Sequence, residues 1–154
     1  MRILLAGGAG YIGSHTAVEL LNAGYDVIIA DNYCNSSPEA VRRIEEVTGK
    51  KVPAYKVDVR IKKDLLEVFG KHSIDCVIHF AGLKAVGESV RKPIEYYRNN
   101  IDTTLTLLEC MKACGVHKSC SLPRPPCMAR RTRIRTSRPC RAAPAPTPTA
   151  GPRP

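Results

Sequence analysis

The chain has 154 residues, 44% of them hydrophobic, enough for one domain of ordinary size with a buried core. Its formal charge of +10 resembles a nucleic-acid binder's only until it is divided: residues 1–115 hold 15 Lys and Arg against 14 Asp and Glu, and the other 9 basic residues stand in an acid-free tail. No apolar run is long enough for a membrane span, the start is broken by glycine too soon for a secretion signal, and seven cysteines without a Cys-x-x-Cys pair favour free thiols over a disulfide framework or metal site.

Arg2–Ala6 is a short apolar run ending in glycines, and residues 11–23 place Ile12, Val18, Leu20 and Leu21 at near-helical spacing before Gly24. Strand, turn and helix follow in that order. Asp26–Asp31 is a second strand, its apolar residues continuous because parallel strands are covered on both faces. Asn35, Ser36, Ser37 and Pro38 then supply caps and a helix-start proline for a charged helix to about residue 47. Residues 52–57 form a third strand, Lys62–Lys71 an amphipathic helix, Cys76–His79 a fourth strand and Pro93–Ala113 a long helix carrying Leu105, Leu107, Leu108 and Met111. The alternation predicts an α/β, doubly wound parallel sheet with strand order 3-2-1-4.

Gly7, Gly10 and Gly13 stand three apart, directly after a strand and before a helix. There, backbone amides approach a pyrophosphate where side chains are absent, and the helix dipole favours its charge. Taken alone the glycines also fit a tight structural turn. Asp31 ends the second strand, where a carboxylate accepts the ribose hydroxyls of NAD and disfavours the 2′-phosphate of NADP. Asp58 follows the third strand within reach of an adenine edge, and equally suits a helix cap.

Residues 7–16 (GGAGYIGSHT) and 79–90 (HFAGLKAVGESV), followed by Lys92-Pro93 and Glu95-Tyr96-Tyr97, closely resemble the UDP-glucose 4-epimerase family of extended short-chain dehydrogenase/reductases. The resemblance runs from Met1 to about Val116 and departs at Ala6, where the group usually has threonine. It implies an NAD-binding Rossmann domain. Tyr11 and Ile12 would sit on the cofactor pyrophosphate, and residues 31–36, chiefly Asp31, Asn32, Asn35 and Ser36, around the adenosine ribose. Asp58 and Val59 would flank adenine. Residues 80–84, with Phe80, Ala81, Gly82 and Lys84 foremost, would line the path to the nicotinamide ribose, Lys84 as a cationic phosphate contact. Asn99 would donate from the long helix, and Ala85 and Val86 would pass near the sugar of a UDP-hexose substrate. With no membrane span or secretion signal, the chain reads as cytoplasmic, with no membrane or nucleic-acid partner expected, and in an intact form the enzyme is expected to be a homodimer. That pairing is not expected to be preserved in this chain.

The family's reaction, implied by the same resemblance, moves a hydride from the sugar C4 to NAD and back, with the tyrosine of a Tyr-x-x-x-Lys motif as base. This motif is missing: the last tyrosines are Tyr96 and Tyr97, and the last lysine is Lys118. His79, inside a strand, reads as a core histidine, so no catalytic residue is assigned. Residues 1–116 are therefore read as an incomplete NAD-binding domain with a bare outer edge on its fourth strand, predicting poor solubility and weak or absent NAD binding. Residues 117–154 are read as a basic Pro/Arg/Ala-rich tail, disordered because they lack the apolar surface to offset ordering entropy. Competing readings are an NAD-binding remnant with a regulatory role, a charge-driven RNA or acidic-partner binder, and a nucleotide-sugar dehydratase, which residues 82–90 argue against.

The tail also reads as a frameshift. Back-translated from the third base of each codon, residues 120–129 permit Phe-Ser-Ser-Ser-Ala-Thr-Val-Tyr-Gly, and residues 146–154 permit Asn-Pro-Tyr-Gly-Arg-Thr-Lys, the missing motif. Both belong to the family in that order. Genomic sequence around Val116–Lys118 is expected to carry one base more in an intact copy, with both motifs in the restored frame; a shifted frame without them refutes the idea.

Overall fold

The computed structural model describes residues 1–121; the tail readings, for residues 122–154, lie outside them. The elements are β1 (Arg2–Ala6), α1 (Tyr11–Asn22), β2 (Asp26–Asp31), α2 (Pro38–Thr48), β3 (Ala54–Lys56), α3 (Lys62–Lys71), β4 (Cys76–His79), α4 (Val86–Arg91), α5 (Pro93–Ala113) and β5 (Lys118–Ser121). All strands run parallel in the order β3-β2-β1-β4-β5. β1 is the axis, pairing with β2 on one side and β4 on the other.

The continuous apolar strands are explained by two cores. Leu4, Ala6, Ile28 and Val77 face a cluster with Leu65 and Phe69 of α3 and Leu107 and Met111 of α5. Ile3, Leu5, Val27 and Ile29 face Ala17 and Leu21 of α1 and Ile44 of α2. Each fully buried aliphatic side chain contributes about 1.5–3 kcal/mol, so the strands are fixed from both faces. α2 begins as its sequence dictates: Ser37 Oγ accepts from the Glu39 amide at 3.2 Å, Pro38 opens the helix, and Gly49 closes it with φ +67°.

Three features differ from the sequence reading. β3 is shorter than residues 52–57, because Pro53 has no N–H to donate and pairs only through its carbonyl, which accepts from Ile29 N at 2.9 Å. α4 is an added helix of six residues, none of them buried. The third difference is β5, which pairs with β4 from Cys76↔Lys118 to His79↔Ser121. The outer edge of β4 is therefore covered, and ordered chain continues past residue 116 to Ser121. The ground for expecting weak cofactor binding from a bare β4 is thereby removed.

One face of α5 is left bare: Ile94, Tyr97, Ile101, Leu105 and Leu108, three or four residues apart, are each about half exposed or more. Among the described residues no helix is long and apolar enough to cross a membrane, and no group of three His, Cys, Asp or Glu could hold a metal ion.

Replacing Leu65, fully buried between α3 and the sheet, by alanine should lower the unfolding free energy by about 2–5 kcal/mol. Val47→Ala, at a position 71% exposed, should change it by less than about 0.5 kcal/mol. Urea unfolding of the two variants beside the unsubstituted chain makes the comparison.

Candidate functional site

A cleft opens at the carboxyl ends of β1 to β4, over the point between β1 and β4 where the strand order reverses. Open parallel sheets bind ligands at such a point because the loops there diverge to either side. The turn after β1 contributes Gly7 and Gly10, and the end of β2 with the segment after it contributes Asp31, Asn32, Cys34, Asn35 and Ser36. Val57, Asp58 and Val59 follow β3, Phe80 to Leu83 follow β4, and α5 supplies Asn99 and Thr103.

The three spaced glycines have separate reasons. Gly7 has φ +78°, and a Cβ there would lie 2.6 Å from Ala81 N. A Cβ on Gly13 would lie 2.7 Å from Gly8 Cα and 2.8 Å from the Gly7 carbonyl, so its absence lets α1 pack against the turn. Gly10 differs, since its nearest obstacle would be the Gly7 carbonyl at 3.5 Å, an ordinary contact. The fold does not need glycine at that lining position. The first amides of α1, which lack intrahelical partners, face the same end.

Asp31 is 7% exposed. Its Oδ2 accepts from Ala9 N at 3.0 Å, and its Oδ1 accepts from Tyr33 N and Ser36 Oγ, both at 2.9 Å. The acid thus ties the glycine turn to the loop after β2, a role that spacing alone does not reveal. A carboxylate has roughly four acceptor positions, so capacity for a further hydroxyl remains. Asp58 is engaged by Arg60, whose side-chain nitrogens approach it at 2.6–3.2 Å, while the Arg60 amide donates to Oδ1 at 3.0 Å. The guanidinium holds this carboxyl below its ordinary range. Asp58 lines the cleft and accepts from the turn before α3, but it is not the cap of that helix, which starts after Ile61 with no side-chain cap.

Asn99 and Thr103 lie one turn apart on α5, with the Thr103 hydroxyl donating to the Asn99 carbonyl at 2.6 Å. Thr103 and Val57 were not singled out by the sequence reading. Thr103 stands four after Asn99, so helical period could have found it. Tyr11, Ile12, Gly13 and Lys84 lie outside the lining. Tyr11 and Ile12 expose their side chains, and Gly13 serves packing. Lys84 is exposed beyond the β4 loop, free of the lining surface.

His79 is half-buried. Its Nε2 lies 3.2 Å from Thr104 Oγ1; that hydroxyl already donates to the Asn100 carbonyl at 2.9 Å, so it accepts from Nε2–H. The buried Nδ1 has no partner among the described residues. Burial, then the charge of Lys84, push the imidazole below its ordinary range. The expectation of a satisfied core histidine holds for one nitrogen and fails for the other.

A parallel sheet bearing a glycine turn, a helix N-terminus and a buried acid after the second strand defines a Rossmann-type dinucleotide-binding domain. The chain belongs to the family described as GDP-mannose 4,6 dehydratase, whose profile matches residues 4–123. It is 60% identical over 114 residues to the UDP-glucose 4-epimerase of Schizosaccharomyces pombe, covering 74% of this chain and 32% of that protein. With the UDP-glucose 4-epimerase of Haemophilus influenzae it shares 55% identity over 116 residues, covering 75% and 34%. The crystal structure of the Bifidobacterium longum UDP-glucose 4-epimerase in complex with NAD+ and UDP superposes with a TM-score of 0.77 at 57% identity, over 79% of this chain and 36% of that one. The chain thus spans about a third of the length of the relatives it matches.

A depressed imidazole binds fewer protons in the folded than in the unfolded state. Its contribution to stability is therefore complete above the unfolded value, about 6.5, and is lost as pH falls through the folded one. Urea-unfolding free energy should fall on going from about pH 7.5 to about pH 5. The fall should be smaller in His79→Gln, which keeps a donor for Thr104 but takes up no proton; equal slopes would remove His79 from the account.

Proposed function

We propose that residues 1–121 are the NAD-binding part of a UDP-glucose 4-epimerase, and that the chain as written holds the cofactor without turning over sugar. The observation that carries this is the cleft itself. Twelve of the residues expected to meet NAD line it, among them Gly7, Gly10, Asp31, Asp58, Phe80 and Asn99. The residues fit the group: Gly10 leaves space the fold does not use, and Asp31 has acceptor capacity for a ribose hydroxyl while its charge opposes a 2′-phosphate.

NAD, when bound, supplies the hydride acceptor and donor that C4 epimerisation requires. The chain's own residues bind and orient it. The bound cofactor in the Bifidobacterium longum complex and identities of 51–60% to epimerases support this reading over a dehydratase, although a dehydratase gives the family its description. A UDP-hexose is the corresponding substrate, reached past Ala85 and Val86 at the start of α4. The homodimer expected of an intact form has a suitable surface in the bare face of α5.

Catalysis is a separate matter, because no Tyr-x-x-x-Lys motif occurs in the 154 residues. Tyr96 does not replace it. Its hydroxyl donates to Glu88 Oε2 at 2.7 Å, and that hydrogen bond and burial raise the phenol, the wrong direction for a general base.

Calorimetric titration of the full chain should show NAD binding with NADP weaker by about tenfold or more, or about 1.4 kcal/mol. A coupled assay should show no conversion of UDP-galactose. Equal affinity for the two dinucleotides would remove the role given to Asp31, absence of NAD binding would overturn the cofactor reading, and turnover would overturn the inactivity.

A further inference from the structure

The segment after β4 must turn away from the sheet while presenting Phe80 to Leu83 to the cleft. Its first two amides, of Phe80 and Ala81, donate to the Ala6 carbonyl at the end of β1; beyond Ala81 something other than a strand must hold its main chain. Asn100, on α5 and 17 positions away, meets both polar groups of one residue: Leu83 N donates to Asn100 Oδ1 at 2.8 Å, and Asn100 Nδ2 donates to the Leu83 carbonyl at 3.0 Å. The amide side chain stands in for a neighbouring strand. Asparagine suits this because it offers a donor and an acceptor in one plane on a short stem, whereas aspartate has only acceptors.

Two further observations tie the clamp to the site. Gly82 has φ +143°, and a Cβ there would lie 3.0 Å from Asn100 Oδ1, so loop and amide fit closely. Asn99 Nδ2 donates to the same Oδ1 at 3.2 Å, which links the clamp to a lining residue. Asn100 is itself tied back to β4, since its carbonyl accepts from Thr104 Oγ1, the partner of His79.

We infer that Asn100 is a positioning residue for the half of the dinucleotide distal to adenosine, acting through the loop of residues 80–83. The inference rests on the cofactor reading above. With the adenosine end at Asp31 and Asp58, beyond β2 and β3, and the pyrophosphate over the glycine turn after β1, strand order leaves the loop after β4 for the second nucleoside. Asn100 is absent from the lining and acts at one remove.

The test compares the full chain with Asn100→Ala and Asn100→Asp, using NAD and ADP as titrants and amide hydrogen exchange without ligand. In Asn100→Ala, exchange at the Leu83 amide should rise at least about tenfold while the amides of Leu4, Leu5 and Ile29 keep their protection. Asn100→Asp keeps the acceptor for Leu83 N but sets a carboxylate oxygen against the Leu83 carbonyl. Both variants should bind NAD at least about tenfold more weakly and ADP within about twofold of the unsubstituted chain. Equal losses for NAD and ADP, or unchanged exchange at Leu83, would overturn the inference by making the role general or absent. If the unsubstituted chain binds ADP but gains nothing from the rest of NAD, the loop's part is overturned while the adenosine site stands. If it binds neither, the cofactor reading falls, and the role of Asn100 in it falls too.

Discussion

Asp31 buries a carboxylate at the end of β2 and offsets its desolvation with three donors, the amides of Ala9 and Tyr33 and the hydroxyl of Ser36. Those donors come from both sides of the cleft floor. Removing one would leave a buried charge short of partners, a larger penalty than the lost hydrogen bond itself. The glycine turn, the start of α1 and the loop leading into α2 therefore share one anchor, placed by the pairing of β1 with β2. The acid at this strand end serves the architecture of the cleft floor.

The layout of the sheet was readable from residues because the strands are covered on both faces. Arg2–Ala6, Asp26–Asp31 and Cys76–His79 show it as unbroken apolar stretches, and α3 and α5 show it as period and terminal proline. Once the strands are parallel, position at a carboxyl end brings Asp31, Asp58 and Phe80 together without further information. What stayed hidden has a common cause. α4 is six residues long and buries nothing, and Lys118–Ser121 joins the sheet with all four residues exposed. Neither carries a side-chain pattern; β5 is held by main-chain pairing that any composition can supply.

Side-chain pairing across distant segments was equally illegible. Nothing in the spacing says that the Ala9 amide reaches Asp31, or that Asn100 reaches Leu83. Both depend on loop paths that tertiary packing sets. Lys84, which the family resemblance offered as a phosphate contact, stands after β4 with its side chain exposed outside the cleft lining. Proximity in sequence to a strand end fixes a neighbourhood and leaves orientation to the main chain.

The contact of Gly7 with Ala81 joins the two rims of the cleft. With a hypothetical Cβ only 2.6 Å from Ala81 N, the glycine turn and the loop after β4 touch main chain to main chain, and the amides of Phe80 and Ala81 both donate to the Ala6 carbonyl, at 2.7 and 2.8 Å. Neither rim can separate without breaking the other's hydrogen bonds. Local opening therefore involves both segments as one cooperative unit. A cleft built this way keeps its width through the backbone, so side chains along it can differ among relatives without changing the distance the ligand must span.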